Sequence, residues 1–205
     1  MIDFRLYLIT DRKLFTPQSS LLTAVEEALK GGVKAVQLRE KDLEIRDLLD
    51  MAYKMREMTR KYNAKFFVND RVDVALAVDA DGVHLGQQSL PAYAVRSIVK
   101  DKLMIGVSTH SIEEAISAET QGADFITLGP VFETPSKLRY GKPVGVKLLR
   151  EAKEKISIPI FAIGGIKEDK VSDVMNAGVD GIALISGIFL AKNIEEKAKE
   201  FLRLL

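Results

Sequence analysis

Arg39 and Lys41 stand two residues apart, with Gln37 two residues before them and the apolar pair Ala35-Val36 ahead. Ala35 and Val36 read as strand, and alternate residues of a strand share a face. The spacing therefore predicts an amide, a guanidinium and an ammonium side by side at the strand's C-terminal end. Such a set suits a multiply charged anion, a diphosphate for example. The competing reading is a solvated charge run, because Glu40, Asp42 and Glu44 are interleaved. Asp70 is the carboxylate best suited to Mg²⁺, an ion that needs few protein ligands when phosphate oxygens are at hand. Its competing role is the N-cap of a helix starting near Val72. His84 reads as an interior residue. His110 precedes Ser111-Ile112-Glu113-Glu114, a capping-box pattern that accounts for it as a helix start. The absence of cysteine excludes a disulfide and a thiolate nucleophile, and with only two histidines, each given a structural reading, neither a histidine-rich metal site nor a Ser-His-Asp triad is expected.

The positions of these residues follow from a regular alternation. Short apolar runs at 6–10, 35–39, 65–69, 82–85, 104–108, 125–128, 160–163 and 181–185 read as strands. Amphipathic runs at 21–30, 45–62, 72–78, 92–99, 112–121, 146–155, 170–177 and 194–205 read as helices. The strands are continuously apolar, as in a parallel sheet covered by helices. Eight strand–helix units of roughly 25 residues predict one domain over 1–205, a compact α/β (β/α)₈ TIM barrel. An open doubly wound sheet is the runner-up, and no GxGxxG follows the first strand.

In such a barrel the site lies where the strands end. Polar residues collect there: Thr10-Asp11-Arg12, Asn69-Asp70-Arg71, Gly86-Gln87-Gln88-Ser89 and Ser108-Thr109-His110. The turns Gly164-Gly165 and Ser186-Gly187 have the place and composition of a backbone phosphate site, against a reading in which the glycines only allow a tight turn. The stretch 129–144 is the longest connection and holds Thr134, Ser136, Lys137, Arg139 and Lys142 with one acid, Glu133. It reads as a second anion-binding segment.

The chain has 205 residues, 47% hydrophobic and 29% charged, enough for a sizeable core. A net charge of +1 gives no global field to draw it to nucleic acid or membrane, so any anion site is local. No apolar run reaches the ~20 residues of a membrane span, and Met1-Ile2-Asp3-Phe4-Arg5 lacks a signal-peptide layout. The expectation is a cytoplasmic protein acting on small molecules, with homo-oligomerisation left open.

Taken together and in order, these motifs resemble the thiamine phosphate synthase family. The segment Gln37-Leu38-Arg39-Glu40-Lys41 matches its diphosphate-binding stretch. Leu6 to Asp11, Asn69 to Ala75, Asp81 to Gln87, Gly106 to His110, Ala162 to Ile166 and Ile185-Ser186 match further blocks. Thr134-Pro135-Ser136-Lys137, after Gly129-Pro130-Val131-Phe132, resembles its Thr-x-Thr-Lys loop.

The resemblance implies an Mg²⁺-dependent transferase. Pyrophosphate leaves a hydroxymethylpyrimidine diphosphate, and the nitrogen of a thiazole phosphate takes its place. It assigns the diphosphate to Gln37, Arg39, Lys41 and Lys137, with Leu38 and Glu40 in the same segment, and the pyrimidine to Asn69 and Ser108. It assigns the thiazole phosphate to the Thr134-Pro135-Ser136 loop, Gly165, Ile185 and Ser186, and the metal to Asp70. Ser89 stands where the family usually has a second metal-binding Asp, a neutral and weaker ligand. The related TenI-type thiazole tautomerases share the barrel and also lack that Asp. Pro130 stands where such an enzyme can carry an acid–base histidine. A third reading is a non-catalytic barrel that binds thiamine precursors and regulates a partner.

Overall fold

The computed structural model describes residues 2–15, 21–134 and 143–205. Eight parallel strands close on themselves in sequence order: β1 (Leu6–Ile9), β2 (Ala35–Leu38), β3 (Lys65–Asn69), β4 (Gly82–Leu85), β5 (Met104–Thr109), β6 (Phe125–Leu128), β7 (Ile160–Ile163) and β8 (Gly181–Leu184). Register runs from Tyr7↔Ala35 between β1 and β2 to Leu6↔Ile182 between β1 and β8, which shuts the barrel. Around it lie α1 (Leu21–Lys30), α2 (Ile45–Lys61), α3 (Val72–Ala77), α4 (Ala92–Val99), α5 (Ile112–Thr120), α6 (Gly145–Lys155), α7 (Glu168–Met175), α8 (Ser186–Phe189) and α9 (Ile194–Leu204). The predicted alternation is borne out.

Three local departures stand out, the first two with clear causes. A 3-10 turn, Arg12–Leu14, follows β1 because the Asp11 carboxylate accepts the Lys13 N–H at 3.1 Å. Helix α7 starts two residues earlier than predicted, with Glu168 and Asp169 favourably placed in its first turn. The short α8 follows β8 directly, where a bare turn was expected. Among the described residues no helix is long and apolar enough to cross a membrane.

Two apolar layers result. One fills the space between barrel and helices, and the other fills the barrel with Phe4, Tyr7, Ile9, Ala35, Phe67, Phe125, Phe161 and Ala183. The aromatic rings pack mostly edge to face, as Phe67 does on Phe125 at 5.4 Å between centroids. Three of these rings, Phe67, Phe125 and Phe161, each face a missing side chain. A Cβ on Gly82 would lie 2.5 Å from the Phe67 ring, and one on Gly181 would lie 2.7 Å from the Phe161 ring. Gly106 stands in the same relation to Phe125.

At the N-terminal end of the barrel a latch repeats three times. Asp81, just before β4, accepts the Phe66 N–H of β3 at 2.9 Å and Arg56 of α2 at 2.6 Å. Asp124, before β6, accepts the Ile105 N–H of β5 and Arg96 of α4, each at 2.6 Å. Asp180, before β8, accepts the Ile160 N–H of β7 at 2.9 Å and Lys153 of α6 at 2.7 Å. Each carboxylate thus satisfies an otherwise orphaned strand N–H and ties a helix to a strand pair. Lys34 holds the corresponding place before β2 and donates to the Tyr62 carbonyl at 3.0 Å.

Removing a latch strands a backbone N–H. Asp81→Ala should lower unfolding free energy by about 1–3 kcal/mol in urea titration. Asp124→Ala should cost less, because its side chain is 39% exposed against 18% for Asp81. Asp173→Ala, on the exposed face of α7, is the control; equal losses in all three would discount the latch.

Candidate active site

The C-terminal ends of β2 to β5 bring the predicted polar residues together. Strand β2 ends at Leu38, and the chain then folds into a turn closed by the Leu43 N–H on the Glu40 carbonyl at 3.3 Å. The expected row of Gln37, Arg39 and Lys41 along one strand face is therefore not formed. The alternation of a strand stops where the strand stops. Gln37 points into the barrel, 1% exposed, and donates from Nε2 to the Tyr7 hydroxyl at 3.0 Å. Arg39 is half-buried just beyond the strand, and Lys41 stands on the turn.

A buried carboxylate sets that turn. Glu40 accepts the Thr10 hydroxyl at 2.6 Å and the Arg12 N–H at 3.0 Å, while Thr10 Oγ1 in turn accepts the Arg39 N–H at 2.9 Å. The ends of β1 and β2 are locked to each other beneath the two cations. Burial raises the Glu40 carboxyl, and the Thr10 and Arg12 hydrogen bonds partly restore it. Glu40, which belongs to the expected anion-binding segment, spends its oxygens on this scaffold.

Asp70 closes the other side. It follows β3 with φ of +61°, in the left-handed region, so its carboxylate turns back over the barrel end. Arg71 occupies the N-cap of α3, and the capping role considered for Asp70 is not observed. Asp70 Oδ2 accepts from Asn69 Nδ2 at 2.6 Å and lies 3.5 Å from Lys41 Nζ. Its Oδ1 accepts the Ser89 hydroxyl, and the Gly86 N–H lies 3.3 Å away. Burial pushes this carboxyl up, but Ser89, Lys41, the Gly86 N–H and Asn69 together outweigh it and hold Asp70 below its usual range. Asp70 is thus an anion at neutral pH.

Among the described residues no group of three or more His, Cys, Asp or Glu could hold a metal by itself. The single ionised carboxylate fits a hard cation whose other ligands are water and phosphate oxygens. Ser89, the second expected ligand, points its hydroxyl at Asp70 and accepts the Gly86 N–H at 2.7 Å.

Behind Asp70 a histidine joins the site to the barrel interior. His84 on β4 is 2% exposed, and its Nε2 lies 3.0 Å from Ser108 Oγ on β5. The exposed Gln87 donates to the Ser108 carbonyl at 2.6 Å. His110 has its N–H on the Glu114 carboxylate at 2.7 Å and its Nδ1 at 3.1 Å from the same oxygen. Ser111 caps α5 by accepting the Glu114 N–H. The helix-start reading of His110 is borne out.

Across the barrel mouth, the stretch after β6 runs against the end of β7. Val131 N–H bonds the Ile163 carbonyl at 2.9 Å and Phe132 N–H the Gly164 carbonyl at 3.0 Å. Gly164 and Gly165 have φ of +100° and +67°, and a Cβ on Gly165 would lie 2.6 Å from the Glu133 carbonyl. Both glycines are therefore required by backbone angle and close approach, without reference to a ligand. Ile185 precedes α8 and Ser186 opens it on the exposed surface. A Cβ on Gly187 would lie 3.6 Å from the Ile166 carbonyl, so the turns after β7 and β8 touch. Thr134 is half-buried, whereas Pro135, Ser136 and Lys137 lie outside the described residues.

Thr10 and Gln87, named among the polar strand ends without a role, belong to the site's framework, and so does Tyr7, which was not singled out by sequence. A tyrosine inside an otherwise apolar parallel strand is the signal that could have found Tyr7, since its hydroxyl must meet a partner.

A closed (β/α)₈ barrel with Lys41 against the ionised Asp70 at its C-terminal mouth defines a class, the TIM barrels whose sites lie where the strands end. Comparison with known proteins narrows this. The family model described as thiamine monophosphate synthase matches residues 6–188, and the chain belongs to that family. It is 47% identical over 203 residues to a thiamine-phosphate synthase of Caldanaerobacter subterraneus, covering 98% of this chain and 94% of the relative. It is 46% identical over 198 residues to one of Clostridium novyi, covering 97% of each. The solved thiamine phosphate pyrophosphorylase of Pyrococcus furiosus superposes with a TM-score of 0.89 at 42% identity, over 98% of this chain and 95% of that one.

The electrostatics of the site give the protein a pH signature. Burial is the main cause that lowers His84 to about 3; the Arg39 charge lowers it further, and Asp70 opposes. The unfolded chain therefore binds a proton that the folded chain refuses as pH falls from about 6.5 towards about 3. Stability should fall with pH across that window, by at most about 1.4 kcal/mol per pH unit from this group. Urea titrations of His84→Gln at pH 7 and pH 5 should show a smaller drop than wild type. Parallel profiles would discount the histidine as the source.

Proposed function

We propose that this protein joins 4-amino-2-methyl-5-hydroxymethylpyrimidine diphosphate to 4-methyl-5-(2-phosphoethyl)thiazole, giving thiamine phosphate and pyrophosphate. The observation that carries the reading is the convergence of Lys41 on Asp70, 3.5 Å apart, beside Arg39 and above the Glu40–Thr10 lock. The sequence resemblance and the kinship reported above supply the substrate class.

The chemistry follows from what these residues can do. The bond between the pyrimidine methylene carbon and the diphosphate oxygen breaks, and its electron pair leaves with pyrophosphate. Arg39 and Lys41 meet the charge that develops on the leaving oxygens, where preplaced cations act most strongly. Electron release from the amino-pyrimidine ring stabilises the methylene cation, and the thiazole nitrogen then forms the new carbon–nitrogen bond. No side chain has to remove a proton. Asn69 and Ser108 face the pyrimidine in this reading. Thr134, Ser136, Gly165, Ile185 and Ser186 receive the thiazole phosphate, and Lys137 adds a third cation to the diphosphate.

Mg²⁺, when bound, neutralises diphosphate charge and adds a Lewis acid at the leaving group. Asp70 would hold it, with Ser89 beside the carboxylate and substrate oxygens completing the shell. A soluble biosynthetic enzyme of this kind would work in the cytoplasm.

The test is direct. Protein given both substrates and Mg²⁺ should release thiamine phosphate and pyrophosphate in equal amounts. Asp70→Ala should lower kcat/KM on the order of 100-fold or more. Ser89→Asp should lower the Mg²⁺ concentration for half-maximal rate by adding a charged ligand. Wild-type protein that makes no thiamine phosphate at saturating Mg²⁺, but isomerises the thiazole phosphate in a chelator, would overturn the reading in favour of a tautomerase.

A further inference from the structure

Tyr7 sits mid-barrel on β1 with no exposed surface. A phenol so placed needs a partner for both its oxygen and its proton. Its oxygen lies 3.0 Å from Gln37 Nε2 and 3.4 Å from His84 Nδ1. His84 Nε2 in turn lies 3.0 Å from Ser108 Oγ. Side chains from β1, β2, β4 and β5 therefore form one file that begins in the aromatic interior and ends at half-buried Ser108. Gln37, Tyr7 and His84 are each at most 2% exposed, so bulk water does not relieve an unmet donor.

The file has a direction. Gln37 turns its amide N–H towards Tyr7, which uses the phenol oxygen as acceptor. The phenol proton must then go to His84 Nδ1, the other polar atom beside it, and that nitrogen carries no proton of its own. The imidazole proton accordingly sits on Nε2 and is donated to Ser108 Oγ. Having accepted there, Ser108 keeps its own proton for a partner outside the file.

We propose that Tyr7 is a positioning residue: it holds His84 in the Nε2–H tautomer and thereby makes the Ser108 hydroxyl a donor to a ring nitrogen of the pyrimidine substrate. The choice of pyrimidine rests on the function proposed above; the tautomer does not. A hydroxyl fixed as donor accepts a ring nitrogen as partner and refuses an amine or a ring C–H, which gives the site a reason to select a pyrimidine in one orientation. The Tyr7–His84 link is the longest of the three bonds, so it is the one whose loss should release the tautomer.

The chain has two histidines, so ¹⁵N-histidine labelling, with His110→Gln to assign the signals, reads His84 directly. Wild-type protein should show a protonated Nε2 and a bare Nδ1. Tyr7→Phe should show both tautomers. Its affinity for 4-amino-5-hydroxymethyl-2-methylpyrimidine, the substrate's alcohol without the diphosphate, should fall in proportion to the Nε2–H population lost, about 2-fold where the tautomers are equal. Ser108→Ala should lose about 5- to 10-fold, the worth of one hydrogen bond. Replacing the contacted ring nitrogen by C–H should weaken binding to wild type by that factor and to Ser108→Ala hardly at all. A proton on Nδ1 in wild type, or an unchanged single Nε2–H tautomer in Tyr7→Phe, would overturn the assignment of Tyr7. The wild-type spectrum decides even if Tyr7→Phe does not fold. An Nε2–H tautomer in a protein that binds no pyrimidine would sustain the Tyr7–His84 link and overturn the ring-nitrogen target together with the proposed substrate.

Discussion

Closing eight parallel strands leaves a cylinder that side chains must fill to packing density, and everything at its mouth depends on how that is done. Here Phe67, Phe125 and Phe161 occupy the interior, each against a glycine of a neighbouring strand. The rings take the width that two ordinary side chains would share. Above this aromatic plug the interior turns polar, and Gln37, Tyr7 and His84 satisfy one another in the space between plug and mouth. The plug sets the height at which a buried polar group can first appear. It thereby sets the floor of the site.

Electrostatics at the mouth are arranged in two tiers. Below, Glu40 spends its charge on Thr10 and Arg12, fixing the backbone from which Arg39 and Lys41 project. Above, Asp70 is held ionised by Ser89, Gly86, Asn69 and Lys41. Two carboxylates just beyond the ends of neighbouring strands β2 and β3 thus have different work. One is a buried part of the frame. The other stays at the surface of the site, where a cation or a cationic side chain can reach it. The left-handed backbone at Asp70 is the cost of turning that carboxylate inward.

The two ends of the barrel divide stability from chemistry. The latches of Asp81, Asp124 and Asp180 at the N-terminal end pair strands with helices. The C-terminal end carries half-buried polar groups on turns. Loss of a latch leaves a strand N–H unmet and frees a helix, whereas the side chains of Arg39, Lys41 and Asp70 take no part in those latches.

The sequence by itself determined the fold, because parallel strands buried on both faces must be continuously apolar and the helices between them must be amphipathic. Both patterns are local and periodic. It also determined which residues stand at the strand ends, so Arg39, Lys41, Asn69, Asp70, Ser89 and Ser108 could be named from position alone. The direction in which each points was decided only by tertiary structure. The alternation of β2 fails after Leu38 because a turn begins there, and that turn exists because Glu40 finds Thr10 and Arg12 thirty and twenty-eight residues away. Tyr7 and His84, 77 residues apart, meet only inside the closed barrel. The need for glycine at 164 and 165 carries no mark in the sequence of the stretch after β6, Pro130 to Glu133, that presses against them. Contacts of that kind depend on closure, and closure joins residues that no local pattern connects.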